Sequence, residues 1–179
     1  MPPPLTTPRL ILRPFSEEDI PAAYAVFEVH PDVWKYDPGF QRTYEQRAEV
    51  IRHYAANNDP AGEGTLAVTL KDGTLIGYVG LQLYILPAEP LATPEVELYY
   101  KLGRDWWGQG YATEACRRLI AFAFDDMRLT RIVTVTQKDN AASLRLMARL
   151  GMKLDSAPSA WPGDVIGILK NPRRKRARP

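Results

Sequence analysis

Cysteine is nearly absent: Cys116 is the only one in 179 residues. No intrachain disulfide can form, and no cysteine metal cluster can be built. Histidine is almost as scarce. His30 and His53 stand alone, with no aspartate or serine at a telling spacing, and read as surface or interface residues rather than as catalytic groups or metal ligands. No apolar run approaches the roughly 20 residues of a membrane span. The opening Met1-Pro2-Pro3-Pro4 lacks the basic and apolar regions of a secretory signal, so a cytoplasmic protein is the expectation. Acid is missing from the last nine residues, which hold Arg173, Arg174, Lys175, Arg176 and Arg178. The formal net charge of +2 is therefore unevenly spread: residues 171–179 form a strongly basic tail on a mildly acidic body. Such a body is unlike a duplex-binding domain and suits, weakly, a cationic or amine substrate. The tail reads as a solvated end, with RNA or ribosome contact as its alternative.

What is present is a core. An apolar content of 45% against 25% charged is that of a globular protein, and residues 1–170 read as one domain. Residues 5–8 are an extended lead-in. Arg9-Leu10-Ile11-Leu12-Arg13 has the composition of a first strand, stopped by Pro14. Ser16 caps a helix with Glu17, Glu18 and Asp19 in its first turn. Residues 30–41 read as a loop. Thr43-Tyr44-Glu45-Gln46 has the form of a capping box and opens a helix to about Ala56. Strands 65–70 and 75–84 flank the hairpin signal Asp72-Gly73; Gly77 and Gly80 inside the second mark a bulge or a close backbone approach. A loop, 86–94, leads to strand 96–102. A helix ending near Met127 follows, then strand 131–136, then a helix opened by Asn140 and stopped by Gly151. A short strand at 152–154, a loop at 156–163 and a strand at 165–169 complete the chain. The order β-α-α-β-β-β-α-β-α-β-β predicts an α/β domain: a mixed, mostly antiparallel sheet of about seven strands flanked by helices. The strand-helix-strand unit implies one parallel pair with a right-handed crossover.

The stretch Trp106-Trp107-Gly108-Gln109-Gly110-Tyr111-Ala112-Thr113-Glu114-Ala115 falls where strand 96–102 turns into its helix. The first N–H groups of a helix have no partner inside it, and its N-terminus carries partial positive charge. Two glycines there let the backbone approach an anion closely, so the stretch reads as a pyrophosphate cradle. The alternative is a tight turn whose glycines serve packing alone.

These residues resemble a family. Residues 107–115 look like the acetyl-CoA signature of the GNAT superfamily of N-acetyltransferases, in the form of its RimJ/RimL-type branch. Asn140-Ala141-Ala142-Ser143, followed by Leu150-Gly151-Met152, is similar to the second signature of that branch. Pro8-Arg9-Leu10-Ile11-Leu12-Arg13-Pro14 is similar to its first strand, and Glu97-Leu98-Tyr99-Tyr100 stands where the branch has Glu-Ile-Gly-Tyr. The resemblance implies a donor, acetyl-CoA, held by Gly108, Gln109, Gly110, Tyr111, Ala112 and Thr113, with Leu102 and Asn140 also touching it. The pantetheine arm would lie between splayed strands 96–102 and 131–136, a backbone N–H of the first meeting the thioester oxygen. Three positions depart from the pattern. Asp105 stands where the superfamily has Gln or Arg, so that Arg104 or backbone alone must balance charge at the cradle. Met147 stands where another branch carries a tyrosine acid. Tyr99 replaces a glycine beside the site.

Acetyl transfer to an amine needs a base, an oxyanion donor and help for the departing thiolate. Glu97, on an otherwise apolar strand, is the candidate base; the alternatives are a solvated glutamate, one paired with Arg131, or water-relayed proton removal. Ser143 is carried over as the acid, against an ordinary first-turn serine. Asn140 caps its helix and, by resemblance, bonds the cofactor's amide arm. Cys116 reads as packed, and Trp106 and Trp107 as wedges of the loop. The expected activity is acetyl transfer, by direct attack in a ternary complex, to a protein N-terminal amine, a polyamine or another small amine. A non-catalytic acyl-CoA-binding or RNA-associated protein is the rival. No metal is implied, and both a monomer and a homodimer stay open.

Overall fold

The computed structural model describes residues 4–57, 64–85, 94–156 and 163–173. Eight strands form one sheet: β1 (Leu5–Thr6), β2 (Leu10–Pro14), β3 (Gly64–Leu70), β4 (Leu75–Ile85), β5 (Pro94–Leu102), β6 (Arg131–Gln137), β7 (Lys153–Ser156) and β8 (Asp164–Lys170). Their order across the sheet is β1-β2-β3-β4-β5-β6-β8-β7. Every pair is antiparallel except β5–β6. Five helices flank it: α1 (Ile20–Glu28), α2 (Pro31–Trp34), α3 (Tyr44–Ala56), α4 (Tyr111–Asp125) and α5 (Ala141–Arg149). The sheet has one strand more than the sequence predicts. Leu5, read as lead-in, is buried among the core residues beside α4, and its backbone pairs with Leu12.

Local signals were largely obeyed. Thr43 Oγ1 accepts from the Gln46 N–H at 3.2 Å while Gln46 Oε1 accepts from the Thr43 N–H at 2.9 Å. The expected loop at 30–41 contains α2. Pro31 sits at its first turn, where a missing N–H costs nothing, and His30 Nδ1 caps it by accepting from the Asp32 N–H at 3.3 Å. The first helix is preceded by a 3-10 turn, Glu17–Asp19. Asp19 turns back to accept from the Ser16 N–H at 2.9 Å and is held by both terminal nitrogens of Arg13 at 2.7 Å. The loop expectations at 86–94 and 156–163 fall almost wholly outside the described residues, as does the tail from residue 174. Asn171, before it, is buried and donates to the carbonyls of Phe124 and Leu129.

Two apolar layers sandwich the sheet. One, with Leu98, Leu102, Cys116, Leu119, Ile132 and Met147, packs under α4 and α5. The other, with Phe15, Phe27, Val33, Ile51 and Tyr78, lies under α1 and α3. Side chains alternate along a strand, so β5 serves both layers. Leu98, Tyr100 and Leu102 face α4 and α5; Tyr99 packs against the α1–α3 layer, and Glu97 and Lys101 share its face. Close β4–β5 contact requires Gly77, where a Cβ would stand 2.2 Å from Leu102 Cδ2 and 2.4 Å from the Lys101 carbonyl. Gly77→Ala is expected to destabilise by about 1–3 kcal/mol, because backbone cannot step aside cheaply; urea unfolding measures it.

Candidate active site

Among the described residues the sheet has one parallel pair, and it is sparsely registered. A single registered pair, Glu97↔Val133, joins β5 to β6, whereas β6 and β8 register along seven residues, from Arg131↔Lys170 to Gln137↔Asp164. Beside this seam lies a cleft of ≈ 1800 Å³, lined among others by Glu97, Tyr99, Tyr100, Gly110, Asn140 and Ser143. That exceeds the roughly 300–1,000 Å³ of an ordinary small-molecule pocket and leaves room for two substrates.

At one end of the cleft β5 runs through a 3-10 turn, Arg104–Trp106, into α4. Gly108 (φ 76°) and Gly110 (φ 82°) are left-handed, which side-chain-bearing residues rarely adopt. Gly110 is the N-cap, and the first intrahelical bond runs from the Glu114 N–H to the Gly110 carbonyl at 3.0 Å. The N–H groups of residues 110–113 thus precede the helical ladder. Gly108, Gln109, Gly110, Tyr111, Ala112 and Thr113 form the turn into α4 and its first residues, and the chemistry of these N–H groups fits a diphosphate.

Of the two expected sources of charge balance at the cradle, Arg104 and backbone alone, the first is engaged elsewhere. Arg104 turns away, stacking on Trp107 at 4.8 Å and pairing with Asp32 at 3.5 Å. Asp105 is exposed, and its carbonyl accepts from Gln109 Nε2 at 2.9 Å. The cation that lies beside the cradle is Arg9, a hundred residues earlier, itself paired with Glu114. Its Nη1 donates to the Gln109 carbonyl at 3.0 Å, its Nε donates to Glu114 at 2.6 Å, and its guanidinium lies 4.4 Å over the Tyr111 ring. No local pattern could reveal this, since only the fold brings β2 to the start of α4. Trp106 half-buries against Tyr111 as a wedge. Trp107 stays exposed, and its Nε1 donates to the carbonyl of the buried Leu102 at 2.9 Å.

Across the cleft Asn140 caps α5, its Oδ1 accepting from the Ser143 N–H at 3.1 Å. The Ser143 hydroxyl lies 2.8 Å from the Tyr100 phenol. Tyr100 was not among the sequence candidates. Its signal was only its place on β5, one face away from Glu97. Met147 is fully buried under α5.

Glu97 is 8% exposed and is not the partner of Arg131, which binds Glu95 two residues away, its Nε donating to Glu95 Oε2 at 2.8 Å. Glu97 accepts from Gln82 Nε2 at 2.7 Å and from the Val135 N–H at 3.3 Å. Burial raises its pKa; these two hydrogen bonds pull the other way without winning. No cation among its named contacts neutralises it. On the same face a row of rings, Tyr54, Tyr78 and Tyr99, packs at 5.9 and 6.2 Å between centroids. Tyr99, in place of the branch's glycine, lies over Gly80 and bonds Thr65 Oγ1 at 2.6 Å; burial pushes its phenol up to about 12. Lys101 Nζ, buried and lowered in pKa by that burial, donates to Asp37 Oδ2 at 2.9 Å. Among the described residues no three His, Cys, Asp or Glu side chains gather as a metal site, and no helix is long and apolar enough to cross a membrane.

A family model described as an acetyltransferase (GNAT) domain matches residues 9–153. The chain belongs to the GNAT family. The uncharacterized N-acetyltransferase YnaD of Bacillus subtilis (strain 168) is 26% identical over 149 residues, covering 83% of this chain and 82% of that one. The crystal structure of an acetyltransferase from Agrobacterium tumefaciens str. C58 is 30% identical with a TM-score of 0.77, covering 94% and 95%. RimL, a ribosomal L7/L12 alpha-N-protein acetyltransferase solved with coenzyme A, shares the fold at 16% identity and a TM-score of 0.73, covering 94% and 98%. This GNAT chain is accordingly an acetyl-CoA-dependent N-acetyltransferase.

Proposed function

We propose that the protein moves an acetyl group from acetyl-CoA to a primary amine by direct attack in a ternary complex, the amine belonging to a protein N-terminus, a polyamine or another small molecule. The observation that carries this reading is the division of labour across the seam. Glu97 stands on the α1–α3 face of β5, and the Tyr100–Ser143 pair stands on the α4–α5 face. A base on one side and a hydroxyl donor on the other is what an amine and a thiolate leaving group require.

The donor substrate supplies a thioester carbonyl; the chain's own groups do the rest. The N–H groups of the cradle, with Arg9 behind them, bind the diphosphate. Asn140 and the buried Leu102 border the pantetheine arm, and a backbone N–H of β5 beyond Glu97 meets the thioester oxygen and stabilises its developing charge. Glu97 takes a proton from the incoming ammonium. Nitrogen then bonds to the carbonyl carbon, the carbon–sulfur bond breaks with its electron pair on sulfur, and the Ser143 hydroxyl stabilises that sulfur. The amine's second proton leaves to solvent or to the thiolate. The raised pKa of Glu97 brings its basicity nearer to the task than an ordinary carboxylate's.

The deciding experiment is thiol release from acetyl-CoA against a panel of amines: peptide N-termini, polyamines, amino acids and amine antibiotics. Turnover with any of them supports the enzyme, and the best acceptor names the class. Cofactor binding without turnover on the whole panel would instead favour a non-catalytic acyl-CoA-binding protein. The cradle has its own test. Gly110→Val forces a β-branched residue to φ 82° and is expected to weaken coenzyme A binding about tenfold or more, measured by titration calorimetry.

A further inference from the structure

We propose that Tyr100 is a positioning residue for the transfer: its phenol donates its hydrogen to Ser143 Oγ, which leaves the serine's own hydrogen for the sulfur of the departing thiolate. This rests on the reading of Ser143 given above and adds a residue to it.

The direction of that hydrogen bond follows from what each hydroxyl has around it. Tyr100 packs against the α4–α5 core, and its hydroxyl bonds Ser143 at 2.8 Å; no second partner is found among the described residues. Both hydroxyls border the cleft, and what separates them is a second protein acceptor that, among the described residues, only the serine has. Ser143 has more choices. Its hydroxyl lies 3.8 Å from the Met147 sulfur, a weak acceptor, and it also lines the cleft. The phenol therefore donates and the serine accepts. One hydrogen on Ser143 Oγ remains, poised between Met147 and the cleft. A thiolate forming there offers a full negative charge, and a charge-assisted bond outcompetes a thioether.

The backbone that carries the serine is held in place. Its N–H is fixed to Asn140 Oδ1 at 3.1 Å, and β5 sets Tyr100 from the other side. Burial keeps the phenol protonated, far above its ordinary value. Both hydroxyls thus keep their protons through the reaction. The carbon–sulfur bond breaks, the pair goes to sulfur, and the two hydrogen bonds in series spread that charge without a proton crossing them.

The test compares Tyr100→Phe, Ser143→Ala and the double variant with wild type, using the best acceptor from the amine panel. Tyr100→Met, a second filling of the space without a hydroxyl, is read in parallel. Tyr100→Phe is expected to lower kcat about tenfold, with KM for acetyl-CoA and coenzyme A affinity within about twofold of wild type. The double variant is expected to be no slower than Ser143→Ala, because the phenol acts only through the serine. A phenol that merely fills space predicts an unchanged kcat for Tyr100→Phe, and that result overturns the proposal; so does a double variant whose losses multiply. An unchanged kcat in Ser143→Ala removes the role of the serine, and the proposal with it, while leaving acetyl transfer itself intact. A wild type inactive on every amine fails the functional reading instead.

Discussion

Glu97→Gln is expected to lower kcat/KM by about 100-fold or more, the usual loss when a positioned base is removed. The substitution preserves the side chain's size and its place beside Gln82, so coenzyme A affinity should hold. Wild-type kcat/KM should fall as pH drops through the raised pKa of Glu97, because only the ionised carboxylate accepts a proton. In Glu97→Gln that acid limb should vanish along with most of the rate. A variant retaining both the rate and the limb would point to water-relayed proton removal. Stability has the opposite sign. A carboxyl whose folded pKa lies above its unfolded one contributes stability while protonated, and that contribution is lost as pH rises through the folded value. The upward shift of Glu97 from 4.5 means its ionised form is a liability at neutral pH. Glu97→Gln should therefore unfold at an equal or higher temperature than wild type at pH 7, and thermal denaturation beside the rate assay reads both.

The largest loss of stability is expected from Arg47→Met. Arg47 and Glu28 are each 1% exposed and joined between α3 and α1, Arg47 Nε donating to Glu28 Oε1 at 2.8 Å. Glu28 also accepts from the Arg42 N–H at 2.8 Å, and the guanidinium lies 5.1 Å over the Phe27 ring. Removing the arginine strands a carboxylate in the core, at a cost of about 3–5 kcal/mol, or about 10 °C in Tm for a chain of this size. Replacing both partners by apolar residues should recover part of the loss, since the stranded charge is then gone. Recovery separates the buried-charge explanation from simple loss of packing, which the double replacement would not repair. The pair matters to the site because α3 carries Tyr54, which packs on the Tyr78 and Tyr99 wall.

The architecture was legible where local chemistry decides it. Thr43 and Gln46 form their capping box, Asp72-Gly73 turns its hairpin, Asn140 caps and Gly151 stops α5, and Gly108 and Gly110 stand where strand turns into helix, as the sequence places them. Both signatures that carry the proposed donor site lie on such local elements, which is why a sequence can display them. What stayed hidden depends on contacts between distant parts. Arg9 reaches the cradle only because β2 runs beside α4. Arg131 chooses Glu95 over Glu97 by strand register, which composition does not encode. Tyr100 meets Ser143 because the crossover through α4 sets β6, and the α5 that follows it, beside β5. The extra strand β1 is two residues long, too short for any alternation to show.

A sheet ordinarily acts as a wall whose two sides never communicate. In this one β5 and β6 register at a single residue pair, and on the proposed reading the parting beyond it is an opening by which the two reactants arrive from separate sides. Neither has to wait for the other to clear a shared entrance, and each product can retreat the way its parent came. The bulk of the acceptor is then no obstacle: an amine at the tip of a long chain needs to pass only its last few atoms into the opening.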